Sequence, residues 1–283
     1  MSNFFVKSRL VMGGITAVLA ASVAIVSVGY APAHADSTSQ RCGLAILISV
    51  RGTNEAAGVG TSNSGRTYLS GGAGATLNNL VGYANREQNF PVYQESINYP
   101  AVALDFSNPQ ATNYISSLQY GTTNLVGEIN NIIAACPYTN ILLAGYSQGA
   151  DVIDQAIGAY HNSSVAVPPL TASAMTHIAS VMLFGDPSYR AGEAWGAVGN
   201  GTGNGVFAKP AGQFQNAKKL TWLAPSYTKL GYVTTVRSYC FTGDFFCQST
   251  PTPAGVMVHA SYGASNAIVD AWVFTKNALT NFN

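Results

Sequence analysis

Ser147 stands in a glycine-flanked motif that is typical of a nucleophilic serine. The motif is the Gly-x-Ser-x-Gly pentapeptide Gly145-Tyr146-Ser147-Gln148-Gly149, which directly follows the apolar run 141–144 and precedes a helical pattern. In this strand, turn and helix setting the glycines permit a sharp turn, and the hydroxyl projects from the carboxyl edge of a sheet. The alternative is that Ser147 only caps the helix. The setting favours covalent catalysis by Ser147.

A nucleophilic serine needs a general base, and elimination among the histidines selects one. His34 lies in a predicted signal segment, and His161 follows the helix of the nucleophile. His177 precedes a predicted strand, so it is expected at the edge of the sheet opposite Ser147. His259 lies in a loop after the last predicted strand, where an imidazole can reach the serine. We therefore predict His259 as the base rather than as a structural histidine.

Chain order narrows the choice of the acid that orients the imidazole. In folds with this serine turn the order is serine, acid, histidine. Asp151 and Asp154 lie on the helix after the nucleophile and are expected to point away, while Asp270 falls on the last helix. Asp186 and Asp244 both follow predicted strands at the carboxyl edge. Topology alone does not decide which of these two residues is the acid.

The cysteines near one of these carboxylates favour it. Asp244 lies inside the short segment from Cys240 to Cys247, and a cross-linked loop can hold a carboxylate against an imidazole. We interpret Asp186 instead as a helix N-cap or a partner of Arg190. Asp244 is therefore the favoured acid.

An anionic tetrahedral intermediate also needs hydrogen-bond donors. One is expected from the backbone N–H of Gln148, the residue after the nucleophile. The other is expected from the loop after the first strand, Arg51-Gly52-Thr53-Asn54-Glu55, where Thr53 offers an N–H and a hydroxyl. A simple turn or helix cap is an equally good interpretation of Thr53 from sequence alone.

Short apolar runs alternate with helical patterns and predict the elements that position these residues. A helical face recurs at three and four residues between the second and third runs, another helix follows Ser147, and a last helix covers 265–279. The alternation predicts one parallel sheet with helices on both faces, in a single domain over 36–283. The predicted strands are 44–50, 92–97, 141–145, 178–184 and 233–238.

Strand positions also predict the disulfides. Cys42 and Cys136 precede the first and third strands, whereas Cys240 and Cys247 follow the fifth. The two ends of a parallel strand are about 17–20 Å apart, and disulfide-linked Cα atoms lie within about 7 Å. Only Cys42 with Cys136 and Cys240 with Cys247 satisfy this limit.

Residues 1–35 are typical of a secretory signal. Lys7 and Arg9 precede the apolar run 10–28, and Ala33-His34-Ala35 is a small-x-small cleavage site, so the mature chain is expected to begin at Asp36. A retained membrane anchor is the alternative. Export to an oxidising compartment favours disulfides over metal ligation by the cysteines. We expect an extracellular monomer with no membrane partner after cleavage.

Composition excludes several other classes of protein. Apolar residues make up 47% and charged residues 9%, so a large core is possible and disorder is not indicated. Removal of Lys7 and Arg9 reduces the 13 basic residues to 11 against 12 acidic ones, a net charge of −1. Nucleic acid binding requires clustered basic residues, so no nucleic acid partner is expected.

These motifs together resemble the cutinase and acetylxylan esterase family, from Cys42 nearly to the C-terminus. Four segments in order carry the resemblance, with the two disulfides: Arg51-Gly52-Thr53 with Glu55, Gly145-Tyr146-Ser147-Gln148-Gly149, Gly243-Asp244 between Cys240 and Cys247, and His259 with Tyr262-Gly263. The resemblance implies a three-layer α/β/α sandwich with a central five-stranded parallel sheet and no lid. It also implies Thr53 and Gln148 as the oxyanion pair and Asp244 as the acid. We therefore predict a serine carboxylesterase that needs no cofactor and no metal.

The sequence features that bear on the substrate point to two different subfamilies. The segments 97–101, 185–187 and 190–192 look more like acetylxylan esterases, and the long segment 193–232 departs from the compact pattern of cutinases. The apolar loops beside the predicted triad, Phe245-Phe246 and Val256-Met257-Val258, favour aliphatic polyesters such as cutin. An equally good interpretation is that these side chains only pack under their loops. We predict the polyester, with acetylated xylan as the alternative and a catalytically inactive extracellular binding protein as a third hypothesis. The candidate substrate contacts are Tyr99, Tyr146, Phe245, Phe246 and Met257.

Overall fold

The computed structural model describes residues 42–57, 62–63, 66–67, 72–105, 113–161, 164–167, 170–223 and 229–280. The predicted signal segment 1–35 lies outside the described residues. The strands, in chain order, are β1 (Ala45–Val50), β2 (Ser62–Asn63), β3 (Arg66–Thr67), β4 (Val92–Ser96), β5 (Asn140–Tyr146), β6 (Ile178–Phe184), β7 (Lys218–Leu223), β8 (Lys229–Thr234) and β9 (Val236–Tyr239). The helices are α1 (Gly74–Asn85), α2 (Asn113–Ala135), α3 (Gln148–Ile157), α4 (Ala172–Thr176), α5 (Pro253–His259) and α6 (Asn266–Thr280), with a 3₁₀ turn at Tyr262–Ala264.

A five-stranded parallel sheet forms the centre of the molecule, in the order β4-β1-β5-β6-β9. All six residues of β1 are buried, and all but Ser49 are apolar, so burial along the strand is continuous rather than alternating. Continuous apolar strands are typical of parallel sheets that are covered on both faces. The predicted fold, a parallel sheet between two helical layers, is confirmed.

Successive residues of β1 point into two separate cores. Ile46 and Ile48 pack with Leu125 and Ile129 of α2 on one face. Leu47 packs in the other core, whose members include residues of α1 and α6. This is the alternation expected of a strand, with both faces apolar because both are covered. The two helical layers hold the strands in place, and the loops that carry the candidate catalytic residues begin at the ends of these strands.

Two disulfides close loops at opposite ends of the sheet. Cys42 is bonded to Cys136 with a Cα–Cα distance of 5.1 Å, and Cys240 is bonded to Cys247 with a Cα–Cα distance of 5.8 Å. This is the pairing that the strand positions predict.

The position predicted for the fifth strand was wrong at its start. The prediction placed it at 233–238, but β9 begins at Val236, and the preceding residues form β8, which pairs antiparallel with β7. The Thr235 N–H donates to the Ala217 carbonyl, at the point where the chain leaves this hairpin for the central sheet. The residues Val233-Thr234-Thr235-Val236 all favour strand, so their pattern cannot show where the chain changes pairing partners.

Within the described residues, no helix combines the length and apolarity needed to cross a membrane. In the same part of the chain, no group of three or more His, Cys, Asp or Glu residues is placed to hold a metal ion.

Candidate active site

Ser147 lies in a sharp turn between β5 and α3. Its backbone has φ 52° and ψ −121°, outside the regions that ordinary residues prefer. The side chain makes no capping hydrogen bond to α3, so the interpretation of Ser147 as a simple cap was wrong. A Cβ atom at Gly149 would lie 2.0 Å from the Val50 carbonyl oxygen, and one at Gly145 would lie 2.6 Å from the Gly149 carbonyl oxygen. Both flanking glycines are therefore required by close backbone contacts.

His259 joins the serine to the favoured acid. Its Nε2 lies 2.8 Å from Ser147 Oγ, and its Nδ1 lies 2.9 Å from Asp244 Oδ2. All three side chains are at least nine-tenths buried. His259 is the last residue of α5, whose start is fixed by Thr252, because the Thr252 hydroxyl accepts a hydrogen bond from the Gly255 N–H.

Asp244 is held by hydrogen bonds on both carboxylate oxygens. Its Oδ1 accepts from the N–H groups of Phe246 at 2.7 Å and Cys247 at 2.9 Å. Its Oδ2 accepts from the Tyr262 hydroxyl at 2.9 Å, in addition to His259. The carboxylate is fully buried. Hydrogen bonds to the ionised form offset the cost of burying its charge.

Asp186 has a different place from the one predicted. Its Oδ1 accepts from the Ser188 N–H at 2.8 Å, closing a turn at Pro187, and Arg190 donates to the Lys209 carbonyl instead. The interpretation of Asp186 as an N-cap or a partner of Arg190 was therefore wrong. Burial, followed by the nearby Asp151 carboxylate, raises the pKa of Asp186 to about 7.

The two acids of α3 lie in a buried polar cluster beside Asp186. Asp151 accepts from the Tyr114 hydroxyl and the Ser188 hydroxyl, each at 2.9 Å. Asp154 Oδ1 accepts from Gln213 Nε2 at 2.6 Å. Burial, and then the Asp186 and Asp151 carboxylates, raise the pKa of Asp154 well above its ordinary value. As predicted, neither carboxylate is the hydrogen-bond partner of His259.

The turn that contains Thr53 is fixed by Glu55. Glu55 Oε2 accepts from the Gly52 N–H at 2.7 Å, and its Oε1 accepts from the Thr76 N–H at 2.9 Å in the first turn of α1. The adjacent Asn54 N–H donates to the Ala101 carbonyl at 2.9 Å. From the sequence, Glu55 is recognisable only as part of a motif. A carboxylate three residues after a glycine turn is the signal that could have revealed its role.

The side chain of Gln148 is occupied by structural contacts. Its Oε1 accepts from the Ser117 hydroxyl at 3.2 Å, and its Nε2 donates to the Val102 carbonyl at 3.0 Å. These bonds fix the first residue of α3 against α2 and the loop after β4. They leave the backbone N–H as the group that Gln148 can offer to an oxyanion.

Two of the candidate substrate contacts lie inside the protein. Tyr99 is 4% exposed, and its hydroxyl donates to the Arg51 carbonyl at 2.6 Å. Tyr146 is 8% exposed, its ring stacks on the His259 ring with centroids 5.0 Å apart, and its hydroxyl donates to the His259 carbonyl. These tyrosines hold the turn after β1 and the imidazole, respectively. The sequence could not reveal this, because the partners are 48 and 113 residues away.

The other candidate contacts lie beside the imidazole. The Phe246 ring is 4.6 Å from the His259 ring, and Phe245 packs against Phe246 at 4.7 Å. Met257 and Val256, on α5, are 74% and 44% exposed. An apolar rim therefore flanks His259.

Comparison with known proteins agrees with this architecture. The family model described as Cutinase matches residues 41–279. Cutinase 11 from Verticillium dahliae is 34% identical over 173 residues, which are 60% of this chain and 52% of that protein. Carboxylesterase Culp1 from Mycobacterium tuberculosis is 28% identical over 93% of both chains. This chain spans about half the length of the first relative and nearly the whole of the second.

A solved structure shows the same fold. The catalytic core domain of acetyl xylan esterase from Trichoderma reesei is 27% identical, with a TM-score of 0.59, over 84% of this chain and 99% of that one. The family model covers far more than half of the chain, which confirms the resemblance seen in its motifs. The chain therefore belongs to the cutinase family.

Proposed function

We propose that the chain is a serine carboxylesterase in which Ser147, His259 and Asp244 form the catalytic triad. The observation that carries the proposal is the continuous hydrogen-bonded line from Ser147 Oγ through the imidazole to the Asp244 carboxylate, with distances of 2.8 and 2.9 Å. The strained backbone of Ser147, which aims the hydroxyl out of the turn, supports it. The relatives named cutinase, acetyl xylan esterase and carboxylesterase are ester hydrolases.

The geometry supports acyl transfer in two steps. Ser147 Oγ forms a bond to the ester carbonyl carbon while its proton passes to His259 Nε2. The resulting oxyanion accepts hydrogen bonds from Thr53 and the Gln148 N–H, and its collapse breaks the ester bond. The departing alcohol takes the proton from the imidazolium. Water then attacks the acyl-enzyme by the same route, with His259 again as base, and releases the acid.

Labelling with a fluorophosphonate tests the proposal directly. The probe bonds to a serine only when that serine is an activated nucleophile, so we expect one labelled site, at Ser147. The Ser147→Ala variant should be neither labelled nor active on nitrophenyl esters. An unlabelled wild-type chain would favour the inactive binding protein, and a labelled Ser147→Ala variant would place the nucleophile elsewhere.

We further propose an aliphatic polyester such as cutin as the substrate. The apolar rim supports this, because Met257 and Val256 are exposed beside the base and no Asp, Glu, Lys or Arg occurs between Phe245 and Val269. Covering such an apolar surface with an aliphatic chain costs less desolvation free energy than covering a charged surface would. Acetylated xylan is the second candidate, favoured by the match to an acetyl xylan esterase over nearly the whole of that structure.

A chain-length series separates the two substrates. Nitrophenyl acetate, butyrate and octanoate are compared with cutin and with acetylated xylan. For the polyester we expect kcat/KM to rise beyond acetate, and Met257→Ser to reduce the rate on octanoate more than that on acetate. Preference for acetate, with release of acetate from xylan, would instead establish the second candidate.

We also propose that the protein is exported after cleavage before Asp36 and acts outside the cell as a monomer. The two disulfides support an oxidising compartment, since such bonds rarely persist in a reducing cytosol. The N-terminal sequence and the solution mass of protein collected from culture medium test these points. A first residue other than Asp36, or a mass of two chains, would contradict them.

A further inference from the structure

Tyr262 touches the acid of the proposed triad and has no role in the mechanism described above. It begins the 3₁₀ turn three residues after His259 and is fully buried. Its hydroxyl lies 2.9 Å from Asp244 Oδ2 and 2.9 Å from the Phe241 nitrogen. Because the Phe241 N–H can only donate, the hydroxyl accepts that bond and directs its own proton to Asp244. The Cys247 sulfur also lies 3.4 Å from this hydroxyl, but the Asp244 carboxylate is nearer and is the stronger acceptor, so it receives the proton.

We propose that Tyr262 is a positioning residue that sets the basicity of His259 through Asp244. Oδ2 is the one oxygen shared by the phenol and the imidazole, since Oδ1 is occupied by the N–H groups of Phe246 and Cys247. A donor on Oδ2 withdraws negative charge from the atom that stabilises the imidazolium. The proposal rests on the triad assigned above and adds a residue that acts through the acid of that triad.

The surroundings keep the phenol in its donor form. Burial, followed by the Asp244 carboxylate, raises the pKa of Tyr262 above its ordinary value, so the hydroxyl stays protonated. Among the described residues, the ionisable groups around the imidazole are Asp244 on one nitrogen, the Tyr146 ring stacked on its face and the Tyr262 ring at its edge. The phenol thus donates to the buried Asp244 carboxylate as a neutral group.

Packing holds the Tyr262 ring in one position. The Phe241 ring stacks on it with centroids 4.4 Å apart, and the Phe184 ring meets it at 6.3 Å. The next residue, Gly263, lies against α1, where an added Cβ would be 2.9 Å from the Thr76 carbonyl oxygen. The hydroxyl is therefore aimed at Asp244 from the side of the α1 and α6 core. This constraint is separate from the disulfide that closes the acid loop.

The test is the pH dependence of kcat/KM in the Tyr262→Phe variant. Loss of the phenol donor should make Asp244 more basic and stabilise the imidazolium. The acidic limb of the kcat/KM profile, where activity is lost as His259 becomes protonated, should therefore move to higher pH by about half a unit or more. Activity on the plateau should fall several-fold, because the carboxylate loses one of its constraints. The unfolding temperature is measured in parallel, and rates are taken well below it.

Tyr239→Phe is the matched control. Tyr239 is also a buried tyrosine that donates to an aspartate, with its hydroxyl 2.6 Å from Asp270 Oδ2 and its ring stacked on Phe184. Its removal should lower stability and leave the acidic limb in place. A folded Tyr262→Phe enzyme with an unmoved limb, or an equal movement in Tyr239→Phe, would overturn the proposal.

A second measurement changes the donor without deleting it. Replacement of Tyr262 by 3-fluorotyrosine, a more acidic phenol, should strengthen the bond and move the limb to lower pH. Movement to higher pH would contradict the proposal. The outcome is distinct from failure of the proposed function, which appears as activity or labelling that survives Ser147→Ala. Inactive Ser147→Ala together with unchanged Tyr262 variants refutes the role of Tyr262 alone.

Discussion

At the scale of single residues, the environment of a carboxylate decides its function. Asp244 and Asp186 are both fully or almost fully buried, yet only Asp244 contacts the imidazole, and it accepts hydrogen bonds on both oxygens. Asp186 lies near Asp151 and is bonded to the Ser188 N–H. Like charges nearby disfavour ionisation, whereas aimed donors favour it. Asp244 is therefore suited to hold the imidazole of His259, whereas Asp186 is suited to remain protonated within the buried cluster.

Asp244→Asn should lower kcat by on the order of 10⁴, with little change in fold. The amide can donate to Nδ1 and so hold the imidazole in the wrong tautomer for removing the serine proton. The measurement is steady-state hydrolysis of a nitrophenyl ester. Asp186→Asn is the matched control and should keep nearly full activity. The assignment of the acid is wrong if the two variants show the reverse order of activity.

At the scale of elements, the two disulfides have different tasks. The Cys42–Cys136 bond joins residues 94 apart, and the Cys240–Cys247 bond joins residues 7 apart around Asp244. In the chain-entropy model the long loop contributes about 4–5 kcal/mol to stability, and the short loop contributes less. The short loop also orients the N–H groups of Phe246 and Cys247 toward Asp244.

Removing each disulfide by paired Cys→Ser changes should separate stability from catalysis. Without Cys42–Cys136, the free energy of unfolding should fall by about 4–5 kcal/mol, while the folded enzyme keeps its kcat/KM. Without Cys240–Cys247, kcat/KM should fall strongly, because the acid is no longer fixed against the imidazole. Urea unfolding and ester hydrolysis measure the two quantities. A fully active variant that lacks Cys240–Cys247 would contradict the role of the acid loop.

At the scale of the whole molecule, buried carboxylates link stability to pH. The pKa of Asp186 rises from 3.8 to about 7 on folding, chiefly through burial and then through Asp151, while the hydrogen bond from the Ser188 N–H and, after it, the charge of Lys209 act in the opposite direction. Asp154, in the same cluster, is raised as well. The folded protein thus holds protons that the unfolded chain releases. The contribution of such a group to stability is lost as pH rises from about 4 to about 7.

The Asp186→Asn variant should therefore gain stability relative to wild type as pH increases. Near pH 4 both carry a neutral group at this position, and near pH 7.5 the wild type has lost up to a few kcal/mol from this site. Urea unfolding of both proteins at several pH values measures the difference. Parallel stability curves would show that Asp186 titrates alike in the folded and unfolded chains.

Features carried by neighbouring residues were predictable from the sequence. Strand and helix patterns, together with the turn that the two glycines around Ser147 allow, depend on local backbone preferences and burial. The disulfide pairing followed from these patterns, because strand length exceeds the reach of a disulfide. Elimination then left His259 as the histidine able to approach Ser147. Local patterns were therefore enough to predict the parallel sheet, its two disulfides and the approach of His259 to Ser147.

Contacts between distant segments became visible only in the folded structure. Apolar patterning could not show that strand-forming residues before Val236 pair with β7, nor that Tyr99 and Tyr146 turn inward to distant carbonyl groups. It also could not show that Tyr262 donates to Asp244. Such hydrogen bonds form only where the packed core brings two distant segments within about 3 Å of each other. The residues next to a donor in the sequence therefore do not indicate which distant residue will accept its hydrogen bond.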